Sequence, residues 1–150
     1  MKIDKKYIES EIRKIAGESG FLLIEFVSRG DKNQHIFEVF IDNEKGITSE
    51  DCTELSRKIG EFLDLQDDIN TNYRLDVSSP GISRPIKFIQ QLPKHLNRKF
   101  DLNYVEGEET KKMNAELIEI NGEELTFRKG KEILIIPFEN IKSAKVLISF

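Results

Sequence analysis

The spacing of apolar positions along this chain switches between helical and strand periods, and each switch marks an element. Ile8, Ile12, Ile15 and Ala16 recur at helical spacing, which predicts an amphipathic helix over residues 4–19 with Gly20 as its stop. Residues 21–28 form an apolar, branched and aromatic run suited to a strand. Residues 29–33 read as a turn. Residues 34–42 give the partner strand of a hairpin, with Phe37, Val39 and Ile41 on one face. Thr48 or Ser49 can cap a second helix, whose first turn holds Glu50 and Asp51 where the macrodipole favours negative charge. Its buried face is Cys52, Leu55, Ile59, Phe62 and Leu63, and it ends near Asp64. After a polar connector at 65–71, residues 72–78 alternate as a third strand, reached by a helical crossover and therefore expected to lie parallel in the sheet. The order is α-β-β-α-β, a two-layer domain with both helices on one face of a small mixed sheet.

Residues 86–97 read as a boundary, punctuated by Pro85 and Pro93 with a short helix-like stretch to Leu92. Beyond it the strand period dominates. Phe100, Leu102 and Tyr104 alternate, residues 113–120 alternate, Asn121-Gly122 is a turn signal, and Leu125, Phe127 and the run Ile133 to Ile136 follow. Pro137 to Asn140 form a tight corner, and residues 142–150 can close the sheet. Four or five short strands in this length suggest an SH3-like small β-barrel. The expected fold class is α+β, with an N-terminal domain over 1–85 and a C-terminal SH3-like barrel over 86–150.

The most informative segment joins the two. Tyr73, Leu75 and Val77 alternate with Arg74, Asp76 and Ser78, and the strand runs into Ser78-Ser79-Pro80-Gly81. Proline presets φ at the second position of a turn and glycine supplies positive φ at the third, so a type II turn is expected. Arg84 precedes Pro85, which holds that arginine on extended chain. The result is a rigid corner with two hydroxyls, backbone amides and an arginine fork suited to phosphate or carboxylate.

Charge sharpens this reading. Residues 73–99 hold Arg74, Arg84, Lys87, Lys94, Arg98 and Lys99 against Asp76, net +5, whereas residues 1–72 are net −6 and residues 100–150 net −3. One basic band on an acidic chain suits either a solvated surface or the electrostatic footprint of a polyanion binder, and its coincidence with the rigid corner favours the second. The 38% hydrophobic and 33% charged content fits a soluble domain pair, and no apolar run approaches the roughly 20 residues of a membrane span. With a single cysteine, Cys52, and no signal-like start, the expected compartment is the cytoplasm.

Catalytic readings fare poorly. Ser78 and Ser79 lack a nucleophile-elbow motif, and the histidines are only His35 and His95. The serines equally well satisfy backbone groups in the turn. Glu50 and Asp51 suit helix stabilisation, Cys52 is a small buried hydrophobe without metal partners, and Asp64, Asp67 and Asp68 lack the spacing of a calcium loop. No phosphate-binding loop or dinucleotide fingerprint is present. No catalytic residue, metal or cofactor is therefore expected. Tyr104, Phe127 and Phe138 read as stacking platforms or as core, and Lys111-Lys112 and Arg128 to Lys131 as loop residues within reach of RNA, with Glu106, Glu108 and Glu109 opposing a purely electrostatic grip.

Two motifs carry a resemblance over essentially the whole chain: Gly46-Ile47-Thr48-Ser49-Glu50-Asp51-Cys52, continuing to Leu55-Ser56 and Leu63-Asp64, and Tyr73 to Gly81, continuing to Arg84-Pro85. In both, the chain resembles the ribosome maturation factor RimP family. Asp76, Ile82 and Ile86 stand where the family commonly has Glu, Leu and Leu. The resemblance implies a non-enzymatic assembly factor that binds the free small (30S) ribosomal subunit late in its maturation. Its partners would be rRNA and a ribosomal protein near the decoding region. From the residues themselves, no membrane or small-molecule substrate is expected, and with no long apolar surface to demand a dimer the expected state is a monomer. The expected subunit-binding residues are Arg74, Ser78, Ser79, Pro80, Gly81, Arg84, Pro85 and Lys87. The alternative is a general RNA-binding chaperone or translational regulator, which would bind free RNA without regard to subunit state.

Overall fold

The computed structural model describes residues 4–30, 34–67, 69 and 72–148. Residues 31–33 of the expected turn, 68, 70 and 71 of the expected connector, and 149–150 of the last expected strand lie outside the described residues. The chain divides into two compact units, Met1–Pro80 and Gly81–Phe150.

In the N-terminal unit, α1 spans Lys5–Glu18, β1 Leu22–Gly30, β2 His35–Asp42, α2 Ser49–Asp64 and β3 Tyr73–Ser78. Asp4 caps α1 by accepting from the Tyr7 N–H, and the Phe21 and Gly20 N–H groups close its end on the Ala16 and Gly17 carbonyls. Thr48 is the cap of α2. Its Oγ1 accepts from the Asp51 N–H at 3.1 Å, and the Asp51 carboxylate accepts from the Thr48 N–H at 2.9 Å, a reciprocal capping box. The sheet has the order β1-β2-β3. β1 and β2 are antiparallel with a bulge between Leu23 and Glu25, and β2 and β3 are parallel, as the α2 crossover requires. β1 continues through Arg29 and Gly30, past the expected end of the strand, because these residues pair with Ile36 and His35. Ile8, Ile12 and Ala16 of α1 and Leu55, Ile59 and Leu63 of α2 share one buried cluster with Phe26, Phe37, Val39 and Ile41. Both helices thus cover the same sheet face. Each fully buried aliphatic or aromatic side chain contributes about 1.5–3 kcal/mol.

The C-terminal unit opens with extended chain and two 3-10 turns, Ile89–Gln91 and Pro93–His95, followed by β4 Lys99–Glu106, β5 Glu109–Asn121, β6 Glu124–Lys129, β7 Glu132–Pro137 and β8 Ile141–Val146. These strands form one antiparallel sheet in the order β7-β6-β5-β4-β8. The ladder is open, with β7 and β8 as its ends. Phe100, Leu102, Tyr104, Leu117, Leu125, Phe127 and Ile136 fill its core together with Leu92. Three hairpins have two-residue loops, Gly107-Glu108, Gly122-Glu123 and Gly130-Lys131, and in each the glycine has φ between +62° and +66°. Positive φ confined to the first loop position is the type II′ turn, whose twist matches that of the flanking strands.

The first of these turns corrects a sequence expectation. Lys111 and Lys112 are not in a loop: the tight turn lets pairing begin at Glu106↔Glu109, so both lysines lie on β5 opposite Tyr104 and Asn103. Arg128 and Lys129 likewise belong to β6, and of that group only Gly130 and Lys131 are in the turn. Among the described residues, no helix is long and apolar enough to cross a membrane.

Candidate functional site

The strand carrying the first candidate residues is fixed by its one sheet partner. β3 is held in register by β2, from His35↔Tyr73 to Phe40↔Ser78. Tyr73, Leu75 and Val77 turn toward the helix-covered core. Arg74, Asp76 and Ser78 therefore take the opposite face. Beyond the strand, Gly81 has the positive φ expected of it, +66°, but the turn residues run from Gly81 to Ser83 and Pro80 precedes them, so the expected type II turn with Pro80 at its second position is displaced along the chain. A Cβ at Gly81 would meet nothing within 4 Å, so the demand for glycine is torsional rather than steric.

In the N-terminal unit, Arg74 is exposed and not an open fork: its Nε and a terminal nitrogen both donate to Asp76 Oδ2, at 3.1 and 3.0 Å. The two residues sit two apart on one strand face. A second pair on this unit, Arg29 Nε to Glu38 Oε1, is 2.7 Å long. Such exposed pairs contribute roughly 0–1 kcal/mol, so a competing anion can break them. Ser78 and Ser79 are exposed and Pro80 is buried.

In the C-terminal unit, Gly81, Pro85 and Lys87 are exposed and Arg84 is half-buried. The extended chain after Pro85 is anchored on β8 by the Ile86 N–H, which donates to the Ala144 carbonyl at 2.8 Å. Lys87 and Phe88 then donate their N–H groups to Gln91 Oε1 at 2.8 and 2.9 Å. Gln91 is only 1% exposed, and it fixes the direction of the basic segment as well as starting the 3-10 turn. Sequence reading missed it, although a glutamine three residues after a turn start is a capping signal. Lys87 Nζ lies 5.5 Å from the Phe88 ring centre. Arg98 and Lys99 line a cavity of ≈ 340 Å³ with Asn97, Ile82, Glu116 and the Val146–Ile148 segment. Asn97 has φ +69°. Its N–H and the Arg98 carbonyl clasp the two backbone groups of Leu117 at 2.7 and 3.0 Å.

Other candidates resolve into structural roles. Ser78 pairs with Phe40, at the far end of β2 from His35, and His35 Nε2 is 2.8 Å from Ser28 Oγ instead. Within this unit no serine–histidine pair forms at Ser78. Asp64 accepts from the Tyr73 hydroxyl at 2.7 Å, and burial with this carboxylate pushes the Tyr73 pKa up to about 12. Asp68 lies outside the described residues. Burial, then the neighbouring Asp51 carboxylate, raises the Cys52 thiol pKa, the opposite of an activated cysteine. Tyr104 and Phe127 are buried in the C-terminal core and Phe138 packs against it, so they are packing residues rather than stacking platforms.

Residues 11–83 match the family model of the RimP N-terminal domain. The chain carries a RimP N-terminal domain, which supports its place in the RimP family of ribosome maturation factors. The match runs from α1 through both motifs and the glycine turn. It contains Arg74, Ser78, Ser79, Pro80 and Gly81, whereas Arg84, Pro85 and Lys87 follow it. RimP proteins are ribosome assembly factors and generally non-enzymatic.

Proposed function

We propose that this chain is a non-enzymatic, cytoplasmic assembly factor that binds the free small (30S) ribosomal subunit and assists its late maturation, through rRNA and a ribosomal protein near the decoding region. The observation that carries the proposal is the turn built into the RimP match. A torsionally fixed glycine follows two exposed serines, and it leads into a segment whose backbone is anchored by Ile86 and Gln91. Pre-organisation of this kind lowers the ordering cost of binding. The subunit-binding residues are Arg74, Ser78, Ser79, Pro80, Gly81, Arg84, Pro85 and Lys87. Their cations supply salt-dependent affinity for phosphate, and Arg74 contributes by exchanging Asp76 for a phosphate. The factor needs no cofactor, acts as a monomer, and works by favouring one conformation of the immature subunit.

The five strands, the three II′ hairpins and the 3-10 turn Phe138–Asn140 before β8 support reading the C-terminal unit as an SH3-like small barrel with a gap at β7. That unit supplies a second contact, and two weak contacts on one chain reinforce each other.

Co-sedimentation with isolated small subunits, large subunits and whole ribosomes tests the proposal, with Arg84→Ala beside the wild type. The expected result is selective pelleting with free small subunits, weakened about tenfold by the substitution, as loss of a charge-assisted contact predicts. Equal pelleting with every particle favours the general RNA chaperone instead, and pelleting with none removes the proposal.

A further inference from the structure

The two ends of the C-terminal sheet are protected very differently. β8 carries Lys142 and Lys145, and its backbone accepts a hydrogen bond from the Ile86 N–H. Charged side chains and covering chain are the usual ways of blocking an edge strand. Among the described residues, β7, Glu132-Ile133-Leu134-Ile135-Ile136-Pro137, has neither between its end residues. Leu134 and Ile136 pack into the core, while Ile133 and Ile135 are 56% and 62% exposed.

The hairpin register shows which backbone groups are open. Lys129 and Glu132 flank the two-residue turn and pair with each other, followed by Arg128↔Ile133, Phe127↔Leu134 and Thr126↔Ile135. Residues flanking such a turn form a hydrogen-bonded pair, and bonded and non-bonded pairs then alternate. Ile133 and Ile135 fall on the non-bonded positions, so their N–H and C=O groups point away from β6. Among the described residues, no strand pairs with that side of β7. It faces a cavity of ≈ 370 Å³ bounded across the gap by Tyr104 to Gly107 of β4 and its turn.

Charge selects the occupant. Glu106 lines this cavity, and Glu123, Glu124 and Glu139 line a neighbouring one that shares Pro137 with it. Lys129 and Lys131 sit at the opposite, hairpin end of β7. A nucleic acid would bring phosphates onto these carboxylates. A protein strand would not, if its apolar residues lie over Ile133 and Ile135 and its cationic residues lie toward Pro137.

We propose that the free edge of β7 is a strand-addition site for an extended protein segment that is apolar at one end and cationic at the other. Backbone hydrogen bonds from Ile133 and Ile135 give the affinity, and the carboxylates give direction and selectivity. The proposal names the second contact of the assembly-factor reading and rests on it only for the biological source of the segment.

The test uses the full chain in solution, without ribosomal particles, so its failure is separate from a failure of subunit binding. The probe is a synthetic peptide of about eight residues, a typical strand length, alternating valine and threonine in one half and rich in lysine in the other. Its partner probe carries glutamate for lysine. The expected result is that the lysine peptide, at up to millimolar concentration, shifts the amide resonances of residues 132–137. It also slows exchange of the Ile133 and Ile135 N–H protons, whereas the glutamate peptide does neither. Ile135→Pro removes one outward N–H without touching the β6 ladder and should weaken binding about tenfold, the effect of losing backbone pairing at an edge. Glu139→Lys, at an exposed position, should weaken it severalfold with the fold intact and carries the test if the proline variant fails to fold. Shifts confined to other strands, equal response to both peptides, no response to either, or displacement by a single-stranded RNA that moves the same amides would overturn the proposal.

Discussion

The two units solve the same problem, ending elements sharply, with different chemistry. In the N-terminal unit, side chains close the helices: Asp4 on α1, and Thr48 with Asp51 on α2. In the C-terminal unit, glycines close the hairpins, and the loops are as short as antiparallel strands allow. Charge divides the units as well. Residues 1–80 hold 11 basic and 17 acidic side chains, net −6, and residues 81–150 hold 12 and 10, net +2. The basic band read along the sequence therefore belongs almost wholly to the C-terminal unit, since Arg74 is the one member before Gly81 and Asp76 already matches it. The exposed Ser78 and Ser79 hydroxyls at the end of β3 belong to the N-terminal unit, and the surplus of cations belongs to the C-terminal unit. A family motif, in other words, marks where a surface is shaped and leaves open where its charge resides.

The largest effects should come from the cores. Phe127 is buried against Phe100, ring centres 6.3 Å apart, and Phe37 lies 5.9 Å from Phe26. Truncating either to alanine is expected to cost about 3–5 kcal/mol. In native-state amide exchange, Phe127→Ala should lower protection in β4 to β8 and spare α1 and α2, and Phe37→Ala should do the reverse. If either substitution lowered protection equally in both units, the units would be one cooperative body and the comparison would fail.

Glycine substitutions should differ in sign between the units. Gly130 has φ +62° and open space where a Cβ would stand, so Gly130→Ala costs about 1–2 kcal/mol from torsion alone. Gly17 lies inside α1 with no positive φ and equally open space. Gly17→Ala should therefore stabilise by about 0.5–1 kcal/mol. Urea midpoints of the two variants check this. A gain at Gly130 would show that the II′ turn is not needed to hold β6 and β7 in register.

Much of this was legible in the chain, for identifiable reasons. Helical spacing placed α1 and α2 within a residue or two, and the helical crossover implied the parallel β2–β3 pair. The Pro80-Gly81 step implied positive φ at Gly81. The turn at Gly107-Glu108 was hidden by the acidic run Glu106, Glu108 and Glu109, which reads as loop, so Lys111 and Lys112 were displaced from their strand. The Arg74–Asp76 pair follows from strand period, yet composition counts both as independent charges. Gln91 was missed because a polar residue in a proline-bounded segment looks exposed, and only the converging N–H groups of Lys87 and Phe88 explain its burial. The open β7 edge depends on non-local pairing, which local sequence pattern does not encode.

The smallest effect tests a link that the N-terminal unit has and the C-terminal unit lacks among its described tyrosines, a phenol hydrogen-bonded to a carboxylate. The Tyr73 hydroxyl donates to Asp64 Oδ1 and joins the end of α2 to the start of β3. Its pKa is pushed up to about 12 from an ordinary value of 10, first by burial and then by the Asp64 hydrogen bond and charge. A folded-state pKa above the unfolded one means that the folded state holds this proton more tightly. The stabilisation is therefore complete below about pH 10 and is lost as pH rises through about 12. Tyr73→Phe should cost about 0.5–1.5 kcal/mol at neutral pH, the net worth of one hydrogen bond. Its stability should then fall less steeply than that of the wild type across the alkaline window. Urea unfolding at stepped pH, with tyrosinate absorbance recorded alongside, measures both. Parallel curves for the two proteins between these pH values would mean that Asp64 does not hold the phenol, and that α2 and β3 are joined by packing alone, as the strands of the C-terminal sheet are joined by their ladder and core.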